Sequence, residues 1–406
     1  MRTATFNPLD LAYQINPFPH YATLREEPVE WVEQVGAYWV GRYDGVYDMV
    51  RKPQVFSHRR FEEISKGEFN PVPGVRSLLS SDPPDHTHMR TLASVGFKPG
   101  RLKTLEEFVA DLARSYLDQC TKEGNSFDFQ VDFADRIPID VISHLLGADN
   151  RRHEDFKRWA HQILAASQRA SMNAEQLAEI QRAVDEAREY FTALIARKRR
   201  DPGDDLLSAF LDAEVGGDQL TDKEVLGLAI LLLIGGVEST AHLIGNAMHQ
   251  LWDHPDQLEQ VRSDHSLIPG LIEETLRFDP PVLTGFLTTN VDVEIGGELI
   301  PAESSVVAVW GSANRDPDRF PDPDTFDIRR DNRGHMSFGQ GPHFCLGAGL
   351  ARLEARTVLT QVFERIPDIR PLVPGQAVTQ IPSYWTRGLE SLPAAFGPRG
   401  TAEARS

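Results

Sequence analysis

Cysteine is scarce in this chain: its 406 residues hold two, Cys120 and Cys345. So small a number excludes a disulfide-stapled scaffold and a cysteine-rich zinc module, and it suits a reducing compartment. Basic residues are also in deficit. Forty-two Lys and Arg against sixty Asp and Glu leave a net charge of −18, which repels phosphate backbones and anionic membrane surfaces. Nucleic acid is therefore not an expected partner. No run reaches the roughly 18 continuous apolar residues of a membrane span, and the opening MRTATFNPLDLAYQ lacks the apolar centre of a signal peptide. These absences point to a cytoplasmic protein without a membrane span. Linkers, low-complexity tracts and internal repeats are missing too, while 41% apolar composition is ample for a large core.

Against this background one stretch stands out, Phe338-Gly339-Gln340-Gly341-Pro342-His343-Phe344-Cys345-Leu346-Gly347. Its glycines allow tight backbone folding that can aim amide N–H groups at the sulfur of Cys345. Helical periodicity follows over 346–363, with Leu350, Leu353, Val358 and Val362 roughly on one side. Cys345 is thus expected at or just before a helix N-terminus, where the dipole and free N–H groups favour thiolate over thiol. We read it as an iron ligand. An isolated cysteine is otherwise a small core hydrophobe. Zinc would find only His343 and Cys345 here, and a Cys120–Cys345 disulfide is the other alternative.

Upstream, short strands are expected at 29–32 and 37–40, helical segments at 21–26 and 44–52, and a long loop over 61–79 that carries Gly67, Pro71, Pro73 and Gly74. Helical periodicity covers 103–122, 135–147 and 152–167, and Leu177, Ile180, Val184, Ala187, Phe191 and Leu194 trace another long amphipathic helix. Thr221-Asp222-Lys223-Glu224 is a capping box, and the helix it opens runs to about residue 252. That helix is apolar nearly all round, so it should cross the interior.

Three short patterns stand out within this frame. His86 and Arg90, four apart after Pro83-Pro84, share a helix face and can hold the carboxylates of one ligand. Gly235-Gly236-Val237-Glu238-Ser239-Thr240 interrupts the buried helix with residues that cost roughly 1 kcal/mol per glycine relative to alanine, which argues for a purpose. Glu274 and Arg277, three apart, can pair on one face.

The pattern Phe-Gly-x-Gly-x-His-x-Cys-x-Gly resembles the haem-binding loop of the cytochrome P450 family of haem-thiolate monooxygenases. The other patterns resemble further motifs of that family, in family order, over about 17–396. The resemblance implies a mainly α fold with small β-sheets, built as a single large domain over 1–406. It implies haem b (iron protoporphyrin IX) with Cys345 as axial thiolate and metal ligand. Phe338, His343 and Gly347 would contact the cofactor from the loop, and His86 and Arg90 would bind its propionates. Dioxygen would be the co-substrate, with Glu238, Ser239 and Thr240 relaying protons to it; Ser239 stands where the family usually has Thr. Glu274 and Arg277 would form a structural ion pair. Thr325 occupies a position often held by Arg in that network, with Arg330 one candidate to replace it. Leu287 stands where an Arg usually binds a propionate.

By the same resemblance, Leu231, Ile234, Gly235, Leu283, Phe286 and Trp385 would line the substrate pocket, the last from a turn at 384–389, and they favour an apolar small molecule. The expected reaction is monooxygenation, usually hydroxylation of a C–H bond. No flavin or iron–sulfur module fits in the remaining sequence, so electrons should come from a separate ferredoxin and its NAD(P)H-linked ferredoxin reductase, with the protein a monomer. Lys98, Arg101, Lys103, Arg352 and Arg356 are the candidate docking patch. A peroxide-driven peroxygenase and a non-catalytic haem-binding sensor are the rival readings.

Overall fold

Local signals in the sequence account for most of the helices. The computed structural model describes residues 2–397 apart from 62, 64–66 and 76. The helices that build the site are α1 (Asp85–Ser94), α2 (Pro99–Cys120), α3 (Arg136–Leu145), α4 (His153–Ala165), α5 (Ala174–Arg200), α6 (Asp222–Asp253), α7 (Ile268–Phe278) and α8 (Ala348–Arg365). Capping boxes start two of them, Asn173 with Gln176 before α5 and Thr221 with Glu224 before α6. Helix α2 begins four residues ahead of the expected 103–122, because Pro99 at its first turn supplies a fixed φ and lacks only an N–H that would be unsatisfied anyway. Helix α4 stops short of 167, and a 3-10 turn, Ala166–Ser171, takes over. The expected loop over 61–79 falls partly outside the described residues; within it, Gly67–Phe69 is a 3-10 turn.

Strands β1 (Arg2–Thr3), β2 (Glu30–Val32), β3 (Ala37–Val40), β4 (Phe56–Ser57), β5 (Thr284–Thr289) and β6 (Ser305–Val309) form one six-stranded sheet in the order β1-β2-β3-β6-β5-β4. β4 runs antiparallel to β5, with Phe56 opposite Thr289 and Ser57 opposite Thr288. The remaining sheets are two- and three-stranded.

The main core gathers apolar side chains from all eight helices. Helix α6 runs through it, and Val225, Ala229, Ile230, Leu233, Val237, Ile244 and Leu251 are buried. By length and composition α6 is the one described helix that could cross a membrane, and 56% of its most apolar window is buried inside the protein. Among the described residues, Cys120 and Cys345 are both free, so the disulfide alternative is not realised.

Candidate active site

Cys345 is held at the end of a loop that closes on itself. Its N–H donates to the carbonyl of Phe338 at 2.8 Å, and the N–H of Gly339 donates to Met336 at 2.7 Å. Gly341 has φ +70°, and a Cβ there would fall 2.7 Å from the carbonyl oxygen of Val50, so no other residue fits. Helix α8 starts at Ala348 with Gly347 as its N-cap, two residues later than the periodicity indicates, because the thiol needs the first free amides. Burial pushes the Cys345 thiol up; the N–H groups of Gly347 and Ala348 and the guanidinium groups of Arg90 and Arg352 oppose that shift. The sulfur lies in the interior, and the surface that Cys345 exposes opens into a cavity.

That cavity, about 350 Å³, unites segments from across the chain. Cys345, Phe338, His343 and Gly347 form one side, with His86 and Arg90 of α1 beside them. Gly235, Gly236, Glu238, Ser239 and Thr240 of α6 also line it. The two glycines differ in purpose. A Cβ on Gly236 would meet Ile142 of α3 at 2.7 Å, so that glycine permits helix packing. A Cβ on Gly235 would meet nothing within 4 Å, so that glycine leaves the cavity open. Leu231, Ile234 and Trp385 belong to the lining, together with Phe61, Phe97, Ile163, Leu228 and Val282. Leu283 and Phe286 do not. Leu283 is fully buried behind the wall, and Phe286 packs its ring on Phe61, Tyr384 and Trp385.

Burial, followed by repulsion from Asp135, pushes the Glu238 carboxyl up to about 8. At neutral pH it therefore carries a proton. His161 of α4 approaches it, Nε2 to Oε1, at 3.5 Å, and with a neutral carboxyl this contact is not an ion pair there. Neither His161 nor Asp135 carries a sequence signal that would single it out, since each meets α6 only through tertiary packing. Ser239 donates its hydroxyl to the carbonyl of Gly235 at 2.6 Å, the back-bond to the preceding turn that serine often makes inside helices.

The opposite end of the site is a stack of imidazoles. The His343 ring lies between His58, at 3.8 Å, and His86, at 4.0 Å. Burial lowers the pKa of all three, that of His58 to about 4. Among the described residues, buried His58 Nδ1, both nitrogens of His86 and His343 Nε2 have no hydrogen-bond partner. Arg90 makes no ion pair with a carboxylate among the described residues. This donor set, a thiol backed by amides and an open face under Gly235 together fit a metal-centred cofactor that carries carboxylates.

Behind the Cys345 loop, Glu274 and Arg277 are fully buried and pair through two contacts of 2.7 and 2.8 Å. Glu274 also accepts from the backbone of Asp327 at 2.8 Å and from Arg330 at 3.4 Å. The hypothesised basic patch is weaker than its sequence spacing implies. Arg101 pairs with Asp204, Arg352 with Glu273 and Arg356 with Glu106, which leaves exposed Lys98 and Lys103 as its unneutralised members among the described residues.

Comparison with known proteins gives one consistent result. Residues 28–366 match the family model described as Cytochrome P450. The chain is 38% identical over 402 residues to Cytochrome P450 107B1 of Saccharopolyspora erythraea, covering 96% of this chain and 97% of that protein. It is 39% identical over 318 residues to 6-deoxyerythronolide B hydroxylase of the same organism, covering 78% and 77% respectively. Among solved structures, CYP109E1 from Bacillus megaterium in complex with testosterone superposes with a TM-score of 0.84 at 34% identity, covering 94% of this chain and 100% of that one.

Proposed function

The chain belongs to the cytochrome P450 family and is a monooxygenase, and on that premise we propose that it oxidises an apolar small organic molecule with electrons from a separate ferredoxin and its NAD(P)H-linked reductase in the cytoplasm. The observation that carries this reading is the single cavity in which a loop thiol, a carboxylate-binding end and a proton-bearing carboxyl meet an apolar wall. The family's haem, when bound, supplies the activation of dioxygen, with one oxygen atom going to product and the other to water.

The residues of this chain divide the remaining work. Cys345 would hold the iron through sulfur, with Phe338 and Gly347 shaping the loop around it. His86, Arg90 and His343 would take the cofactor's carboxylates. Leu231, Ile234, Phe61 and Trp385 exclude water and favour an apolar ligand, a preference in keeping with the steroid bound by the Bacillus megaterium relative. Protons enter from α6. Glu238 holds one at neutral pH, and Ser239 is the adjacent hydroxyl. Because Ser239 lacks the methyl that restricts threonine, its hydroxyl can turn from the Gly235 carbonyl toward the cavity with little torsional penalty, and Thr240 supplies a second hydroxyl nearby.

Two measurements test this reading. Reduced protein under carbon monoxide should show the thiolate-type Soret band of the family, and Cys345→Ala should lose it. Candidate apolar ligands that shift the haem spectrum should then be turned over with NADH, ferredoxin and reductase. Turnover with hydrogen peroxide alone at the same rate would favour a peroxygenase, and binding without turnover in either system would favour a sensor.

A further inference from the structure

His58 belongs to none of the motifs above and does not itself line the cavity, yet the fold stacks it on His343, which does. Strand β4 ends at Ser57, opposite Thr288 of β5. The same antiparallel register, continued by one residue, sets His58 across from Leu287. Residues directly opposite in an antiparallel pair project to the same face of the sheet. At that position β5 offers a buried, apolar Leu287, and the hydroxyl of Thr289 on the same face is spent on the carbonyl of Pro301 at 2.7 Å. His58 offers an imidazole stacked on His343 at 3.8 Å, with the two rings 24° from parallel. Its Nδ1 is buried without a partner among the described residues, as is Nε2 of His343.

We infer that His58 is a cofactor-binding residue that donates a hydrogen bond to the same cofactor carboxylate as His343, and that it serves in place of a cation on β5. The inference rests on the haem-binding reading above. One ligand-capable nitrogen of His58 and one of His343 lie within 4.8 Å of each other, a span that a single carboxylate can bridge with one hydrogen bond to each ring. Asp82 shares this cluster, and its carboxylate already accepts from the backbone N–H of His58 at 3.1 Å and from the hydroxyl of Ser57. It therefore fixes where residue 58 sits, and Nδ1 of His58 remains without a partner among the described residues. Stacking supplies the rest. With His343 confined between His58 and His86, its ring plane is set, so a carboxylate that meets one ring meets its neighbour in register.

The test is haem retention. Haem-loaded parent, His58→Leu, His58→Gln, Leu287→Arg and the double variant His58→Leu/Leu287→Arg are mixed with excess apomyoglobin, and the transfer rate is followed by absorbance. His58→Leu should lose haem about tenfold faster than the parent, the effect of one hydrogen bond to a charged group. His58→Gln, which keeps a side-chain donor, should fall between them. Leu287→Arg should slow the loss in the His58→Leu background and return it toward the parent rate. Unchanged loss in His58→Leu, with the carbon monoxide spectrum and circular dichroism intact, would overturn the proposal, as would failure of Leu287→Arg to slow loss in the double variant. One equivalent of zinc bound by the haem-loaded parent and lost in His58→Leu would also overturn it, because His58, Asp82 and His343 would then form a cation site. Failure of the haem-binding reading looks different: the parent itself would lack the thiolate-type band.

Discussion

Replacing Glu238 by Gln keeps the size and hydrogen-bonding capacity of the side chain and removes one titration, which makes it the sharpest probe of the site. In the folded protein the carboxyl titrates at about 8 against an ordinary value of 4.5, a difference that corresponds to a ceiling of roughly 5 kcal/mol of preference for the neutral form. The sign follows from proton uptake. Below about pH 4.5 both folded and unfolded chains are protonated at this residue and it has no pH-dependent effect. As pH rises toward 8 the unfolded chain releases the proton and the folded chain keeps it, so stability falls; above about 8 both are ionised and the cost is constant. Urea unfolding of parent and Glu238→Gln at closely spaced pH values should therefore show the parent losing about 4 kcal/mol relative to the variant between pH 5 and 8.5. Glu354, whose shift comes from burial alone, titrates in both proteins and cancels in the difference. The same variant should slow product formation at pH 7 by about 10²-fold through loss of the proton donor. A stability difference that does not change with pH would refute the buried neutral carboxyl, and with it the basis for the relay.

Ser239→Ala should keep consuming NADH but divert it to peroxide, while Ser239→Thr should couple at least as well as the parent; product and peroxide assayed together against NADH consumed decide both. Glu274→Gln should destabilise by about 3 kcal/mol because it leaves Arg277 buried without its charge partner, whereas Arg330→Ala, at 3.4 Å and nearer the surface, should cost about 1 kcal/mol; urea midpoints measure each. Gly235→Ala should stabilise α6 by up to about 1 kcal/mol, since its Cβ meets no atom, and should weaken binding of bulky ligands in spectral titrations because that methyl enters the cavity.

What was legible in the sequence is what is local along the chain. The Cys345 loop is ten contiguous residues, the Glu238 segment six, and His86 and Arg90 are one helical turn apart, so each could be read without knowing what it would meet. Helix α6 announced itself by a capping box and a continuous apolar surface. Partners supplied by packing were not legible. His58 reaches His343 from 285 residues away in the chain, and His161 reaches Glu238 from α4, with no periodicity or motif to connect them. The pocket wall shows the same limit. Leu283 lies just before β5 and Phe286 within it, and whether such residues face a ligand or the core depends on register and on what the neighbouring turn covers. The basic patch is thinned for a related reason: sequence shows the cations, whereas Asp204, Glu273 and Glu106 come to three of them only in the folded chain.

The buried ion pair and the thiol belong to one mechanical unit even though they do not touch. Arg277, held by Glu274, donates to the carbonyls of Asn314 at 3.0 Å and Pro323 at 2.7 Å. Asn314 in turn accepts from the N–H of Met336 at 2.6 Å and donates to the hydroxyl of Ser337 at 2.8 Å. Phe338 follows directly, and its carbonyl receives the N–H of Cys345. Hydrogen bonds and one chain link therefore connect a charge pair in the core to the backbone N–H of Cys345, and Glu274, Arg277, Asn314, Met336 and Ser337 along it are buried where a broken bond finds no water to replace it. The α6 side of the cavity is built in the opposite way, with two glycines, a carboxyl raised by burial and a hydroxyl free to turn. Rigidity is thus concentrated behind the ligand that must not move, and conformational freedom lies where substrates differ and protons enter. This division explains why the least favourable helix residues of the chain face the same cavity as its most constrained loop.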